Sequence, residues 1–295
     1  MLSGSIVALI TPMHSDGSVD FASLKRLVEF HLANKTSGLV IMGTTAESAT
    51  LTFDEQWQVL NAVLEQVAGR IPVIAGNGSN STAEAIAKTQ KFSELPVAGF
   101  LTVTPYYNKP TQKGMLAHFQ AVAAATDKPV WLYNVPGRTG VDLQAETVAE
   151  LAKVPNIVGI KEATGSFERL EQLKALCPAD FVLLSGDDAT CCDFILQGGK
   201  GVISVTSNIA PALMAQMCAQ ALAKEQVAAH QTDQALQALH RDLFVESNPI
   251  PAKWALLQMG LIADDMARLP LTRLEPIYHS VIEQALKQAQ ITIQE

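Results

Sequence analysis

One lysine of this sequence stands where an amine can act as a nucleophile. Lys161 follows directly on the apolar run Ile157-Val158-Gly159-Ile160, a low-dielectric setting that disfavours the charged ammonium. A lysine kept neutral attacks a ketone carbon and forms a Schiff base. The bland alternative is an ion pair with the adjacent Glu162. Consecutive strand residues face opposite sides, however, so Glu162 can equally point outward. Tyr133 ends a second apolar run, Val130-Trp131-Leu132-Tyr133, and Thr44 follows a third, Gly38-Leu39-Val40-Ile41-Met42. Their hydroxyls are suited to passing protons beside the amine. Arg138, close behind Tyr133, offers a planar bidentate clamp for a carboxylate. Each residue alone is a weak signal, since a lone buried tyrosine more often packs than reacts. Amine, hydroxyls and guanidinium together describe a site for a small keto acid.

Other site types find less support. The six histidines, His14, His31, His118, His230, His240 and His279, show no His-Glu-x-x-His or comparable spacing, so no metal centre is expected. Gly198-Gly199-Lys200-Gly201 resembles a phosphate loop but precedes a strand, which puts it on the wrong face and reads as a helix stop. Asp187-Asp188 without further ligands is expected to cap the helix that follows.

These residues need elements to hold them. Eight apolar runs recur: Ile6–Ile10, Gly38–Met42, Ile71–Ala75, Gly99–Val103, Val130–Tyr133, Ile157–Lys161, Phe181–Ser185 and Gly201–Val205. Such runs suit parallel strands buried on both faces. Between them lie segments of helical period, as in Phe21, Leu24, Leu27, Val28 and Leu32 after an Asp20 N-cap. Thr52 with Glu55, and Ser81 with Glu84, show capping-box spacing. The alternation predicts the α/β class, a (β/α)8 TIM barrel spanning residues 1–224. From 225 to 295 only helical patterns remain, broken at Asn248-Pro249-Ile250-Pro251 and near Pro270, which predicts a C-terminal helical extension. In such a barrel the site lies at the C-terminal strand ends, where Lys161, Tyr133 and Thr44 all fall.

Bulk properties exclude several classes. With 295 residues, 48% apolar and 17% charged, the chain can bury one large core. A net charge of −8 with no Lys/Arg cluster argues against nucleic acid. No apolar stretch approaches the roughly 20 residues that span a bilayer. The start, Met1-Leu2-Ser3-Gly4-Ser5, lacks a signal-peptide pattern, so a cytoplasmic location is expected. Cys177, Cys191, Cys192 and Cys218 form no disulfide framework and read as small buried hydrophobes in a reducing compartment.

At this point the chain resembles the class I pyruvate-dependent aldolases and lyases, and within them the dihydrodipicolinate synthase family. The resemblance covers nearly the whole chain. It is carried by Gly43-Thr44-Thr45-Ala46-Glu47-Ser48-Ala49-Thr50-Leu51, Tyr106-Tyr107-Asn108-Lys109-Pro110, Tyr133-Asn134-Val135-Pro136-Gly137-Arg138-Thr139-Gly140, Gly159-Ile160-Lys161-Glu162-Ala163 and Asn248-Pro249-Ile250-Pro251-Ala252-Lys253. The resemblance implies that Lys161 forms the Schiff base with pyruvate. It implies further that Thr44, Tyr107 and Tyr133 relay protons, with Tyr107 reaching a neighbouring subunit's site in a homotetramer built as a dimer of dimers. Arg138 would bind the carboxylate of L-aspartate 4-semialdehyde and Thr45 that of pyruvate, with backbone contacts from Gly186 and Ile203. No external cofactor is implied. Feedback inhibition by L-lysine would involve Ser48, Ala49, Asn80, Glu84 and Tyr106, although sensitive members often carry histidines where this chain has Phe53 and Gln56. The competing reading within the superfamily is a lyase for N-acetylneuraminate or a 2-keto-3-deoxy acid, against which Gly43-Thr44-Thr45 and Arg138 speak. A barrel that only binds a ligand has no need of a desolvated amine beside a relay.

Overall fold

The computed structural model describes residues 2–293. Met1, Gln294 and Glu295, which open and close the two predicted units, lie outside the described residues. Eight parallel strands close into a barrel in sequence order: β1 (Gly4–Ala8), β2 (Gly38–Ile41), β3 (Val73–Gly76), β4 (Gly99–Val103), β5 (Val130–Asn134), β6 (Ile157–Glu162), β7 (Val182–Ser185) and β8 (Gly201–Ser204). Each falls within two residues of a predicted run. In β1 the shift is toward the N-terminus, because Gly4 and Ser5 pair with Gly201 and Val202 while Leu9 and Ile10 already belong to the loop.

Helices α1 (Phe21–Ala33), α2 (Phe53–Val67), α3 (Thr82–Ser93), α4 (Gln112–Ala123), α5 (Pro136–Thr139), α6 (Ala145–Leu151), α7 (Phe167–Leu176), α8 (Cys191–Leu196) and α9 (Pro211–Leu222) connect and cover the strands. The extension is α10 (Gln226–Asp242), α11 (Ile250–Gln258) and α12 (His279–Gln288). Its side chains Leu236, Leu239, Trp254 and Ile282 share one buried cluster with the barrel helices. No helix among the described residues is long and apolar enough to cross a membrane.

Local chemistry sets the helix starts. Asp20 accepts from the backbone N–H groups of Ala22 and Ser23, and Thr52 with Glu55 forms the full reciprocal box. Ser81 caps α3, but Glu84 does not reciprocate, because its carboxylate accepts from the Ser79 hydroxyl at 2.8 Å instead. Asp188 does not cap α8 as expected: its Oδ2 accepts from Val205 N and Thr206 N at 2.9 Å, tying the β7 loop to the end of β8. Asp187 holds the turn itself, through Thr190 N and Oγ1.

The packing of α1 carries a pH dependence. His31 is fully buried, hydrogen-bonded to Thr36 Oγ1 at 3.0 Å, and burial pushes its imidazole down to about 3. The unfolded chain binds this proton near pH 6.5 and the folded one does not, so stability is lost as pH falls from 6.5 toward 3. At pH 4.5 the loss from this residue is about 2–3 kcal/mol. Urea midpoints measured from pH 7.5 to 4.5 should therefore decline less in His31→Gln than in the wild type. Parallel declines would show that His31 is not the source.

Candidate active site

Strand alternation sends Lys161 into the barrel and Glu162 out of it. Lys161 is 7% exposed, flanked inside by Tyr133 across the β5–β6 register, and its Nζ lies 4.2 Å from the Tyr133 ring centroid. No hydrogen bond or ion pair reaches that Nζ among the described residues. Glu162 instead accepts from Asn134 Nδ2 and Thr164 N and lies 3.6 Å from Arg169. Burial raises its carboxyl above the usual range against those contacts. The ion-pair alternative for Lys161 is thus removed, and the amine is left to the chamber.

Gly186 makes the position possible. A Cβ there would stand 2.8 Å from Lys161 Cε and 2.7 Å from Ala163 Cβ, so only glycine lets the lysine stem lie along β7. Its own N–H is spent on Glu162 O at 2.7 Å.

The chamber that Lys161 enters, about 160 Å³, is also lined by Thr44, Thr45, Tyr133, Arg138 and Asp187. It adjoins an outer cavity of about 530 Å³ through Thr44, Tyr133 and Arg138. A larger cavity, about 1030 Å³, opens beside Leu2, Pro72, Pro129 and Phe181, but among the described residues Asp180 is its only ionisable lining residue. Thr44 and Thr45 sit on a single 3-10 turn, Thr44–Ala46, directly after β2. Arg138 lies on α5 and meets no carboxylate among the described residues, only Asn248 O at 3.4 Å. Its guanidinium therefore keeps donors for an incoming acid.

Two predicted residues do not line this chamber, Tyr107 in keeping with its expected place in a neighbouring subunit's site. Tyr107 is 89% exposed with φ +74° and does not line its own chain's chamber. The Ile203 side chain is packed in the barrel interior with Ile6, Val40 and Leu184, and Val205 lines the chamber. Of the regulatory set, Ser48, Ala49, Glu84 and Tyr106 line the outer cavity; Asn80 does not line it, and its carbonyl accepts from Asn108 Nδ2. Phe53 stacks on Phe92 at 5.6 Å, and Gln56 donates to the carbonyls of Ser48 and Leu51.

The residues missed in the sequence come from the extension. Asn248 Nδ2 donates to Thr45 Oγ1 at 2.8 Å, fixing the hydroxyl in the chamber wall. Behind that turn Glu47, at φ +55°, is gripped by Lys253 Nζ and by Arg268 N at 3.0 Å. Lys253 is fully buried and also donates to Met266 O. A lone lysine in the apolar segment Ile250–Leu257 was the available signal, since such a charge must find a partner.

Comparison with known proteins decides the family. A model of the dihydrodipicolinate synthetase family matches residues 1–289. This chain belongs to that family. It is 55% identical to the 4-hydroxy-tetrahydrodipicolinate synthase of Shewanella frigidimarina, over 99% of this chain and all of the relative. Against the corresponding enzyme of Methylococcus capsulatus the identity is 56%, over 98% and 99% of the two chains. Among solved structures, the dihydrodipicolinate synthase of Acinetobacter baumannii, complexed with pyruvate, superposes with a TM-score of 0.97 at 48% identity, over 99% and 100%. That of Cyanidioschyzon merolae, with lysine bound, gives 0.95 at 40% identity over 99% of both chains. These superpositions take in the barrel and the C-terminal helices alike.

Proposed function

We propose that Lys161, Tyr133, Thr44 and Arg138 carry out the family's reaction in this chain. The enzyme is a lyase of lysine and diaminopimelate biosynthesis that condenses pyruvate with L-aspartate 4-semialdehyde to 4-hydroxy-tetrahydrodipicolinate. The observation that carries the residue assignment is the unpaired, buried Lys161 amine beside the Tyr133 ring. Its lone pair attacks C2 of pyruvate, water leaves, and an imine forms. Loss of a C3 proton gives the enamine, whose carbon attacks the aldehyde. The semialdehyde's amine then displaces Lys161 as the ring closes, so the lysine is itself the electron sink and no external cofactor enters. Tyr133 and Thr44 move the protons, Thr45 holds the pyruvate carboxylate, and Arg138 holds that of the semialdehyde. Gly186 gives the lysine its room, and Gly186 and Ile203 contribute backbone contacts around the site. The same reading places the enzyme in the cytoplasm. A coupled assay offering pyruvate with the semialdehyde, beside N-acetylneuraminate and 2-keto-3-deoxy acids, tests it; faster turnover of a sugar acid would overturn it.

Tyr107 completes the relay from a neighbouring copy, in a homotetramer assembled as a dimer of dimers. Its exposure, and its place outside the lining of its own chamber, support this reading. Tyr107→Phe should lower kcat by about 10²-fold with little change in the melting temperature. Unaltered turnover would remove Tyr107 from the relay.

The outer cavity, walled by Ser48, Ala49, Glu84 and Tyr106 with Asn80 beside it, is a site for L-lysine as feedback inhibitor. Titrating the activity with L-lysine should show inhibition at millimolar concentrations, and full activity there would withdraw the assignment.

A further inference from the structure

Three metal-ligating side chains converge in a part of the molecule that the reaction does not use. Cys191 opens α8, while Asp233 and His240 lie on one face of α10. The thiol, a carboxylate oxygen and an imidazole nitrogen all lie within 4.8 Å of one another. His240 Nδ1 is engaged with Thr206 Oγ1 at 2.9 Å. Its Nε2, on a fully buried side chain, has no hydrogen-bond partner among the described residues and faces Asp233 Oδ1 at 3.4 Å. Asp233 repeats the pattern: Oδ2 accepts from Gln237 Nε2 at 2.6 Å, while Oδ1 accepts no hydrogen bond among the described residues and faces His240 Nε2.

For His240 and Asp233 this is how ligating groups are held, with the outer atom fixed by a hydrogen bond and the inner atom left for the ion. Tetrahedral zinc places its nitrogen and oxygen ligands about 3.3 Å apart, close to the His240–Asp233 spacing. Buried polar atoms without a partner are otherwise costly. We propose that Cys191, Asp233 and His240 bind a divalent cation of the zinc class, at a site separate from the keto-acid chamber. On binding, the Cys191 S–H bond breaks, the thiolate pair forms the sulfur–metal bond and the proton leaves to solvent, with no change of oxidation state. Because binding releases the thiol proton, affinity falls as pH is lowered. The Asp233 side chain, 14% exposed, gives the ion its way in. Water takes the remaining position. The ion ties α8 to α10 and, through Thr206, to the Thr206–Asn208 turn that follows β8. The sequence hides this site because its donors are scattered over two helices without a recurring spacing.

The test uses chelator-treated full-length protein, equilibrium dialysis against Zn²⁺, and absorption spectra with Co²⁺. One equivalent per chain should bind, with a thiolate-to-cobalt charge-transfer band. Cys191→Ala and Asp233→Asn should each weaken binding by about 10²-fold, with circular dichroism confirming that both fold, and Cys192→Ala should leave it unchanged. Equal affinity in wild type, Cys191→Ala and Asp233→Asn overturns the proposal, as does loss of the band in Cys192→Ala alone. Binding is read without turnover, so its failure is separate from any failure of the catalytic assignment.

Discussion

Replacing Lys161 with methionine should abolish condensation, lowering kcat on the order of 10⁴-fold or more, while the protein melts within a few degrees of the wild type. Methionine keeps most of the apolar stem that lies along Gly186 and loses only the amine. No other side chain can substitute, because among the described residues the chamber holds no second lysine: its other ionisable lining groups are Tyr133, Arg138 and Asp187. Borohydride added with pyruvate should label the wild type on Lys161, and Lys161→Met should take up no label. Mass spectrometry that found the adduct on another lysine would refute the assignment. The shared relay supplies a second arm to this experiment. Mixed after dissociation, Lys161→Met and Tyr107→Phe should recover part of the lost activity, since a hybrid pair contains one site with both a wild-type amine and a wild-type phenol. Failure to recover any activity would count against Tyr107 acting across subunits without touching the role of Lys161.

The barrel was legible because its signal is redundant. Eight apolar runs sit at the spacing that a parallel sheet covered by helices requires, and displacing any boundary by two residues leaves the count intact. Lys161 was legible as the polar residue that ends the run Ile157–Ile160, but a run buried on both faces leaves open whether Lys161 or Glu162 turns inward, and only the closed barrel decides it. What escaped depends on contacts between residues far apart in sequence. Nothing local links Asn248 to Thr45, or Lys253 to Glu47, because the pairs are joined only when the extension folds back over the strand ends. Ile203 and Val205 show the finer limit. Both belong to one apolar run, and only the register of β8 against β1, with Ile203 opposite Ile6, decides which side chain faces the chamber. Gly186 differs again: its conformation is unremarkable, and its need to be glycine comes from the lysine packed against it.

Removing the Lys253 ammonium should be the most damaging substitution away from the reacting atoms. Burial pushes this ammonium down and the Glu47 carboxylate pushes it back. Both side chains are essentially inaccessible to water, so Lys253→Met leaves Glu47 with a buried charge and the Arg268 N–H as its remaining donor. Breaking a buried pair in this way costs about 3–5 kcal/mol, which at this chain length lowers the melting temperature by on the order of 10 °C. The damage reaches catalysis because Glu47 ends the Thr44–Ala46 turn in a left-handed conformation that its two partners enforce. With the grip released, Thr44 and Thr45 lose their fixed geometry, so kcat should fall together with stability and pyruvate should bind more weakly. The double variant Glu47→Gln/Lys253→Met separates the two effects. Neutralising both groups should restore much of the stability, through a coupling of about 1–3 kcal/mol. Activity should stay low, since glutamine has no ammonium to hold it and the turn remains loose. A double variant as active as the wild type would mean that the ion pair serves the fold alone, and a single variant as stable as the wild type would mean that water reaches Glu47 after all.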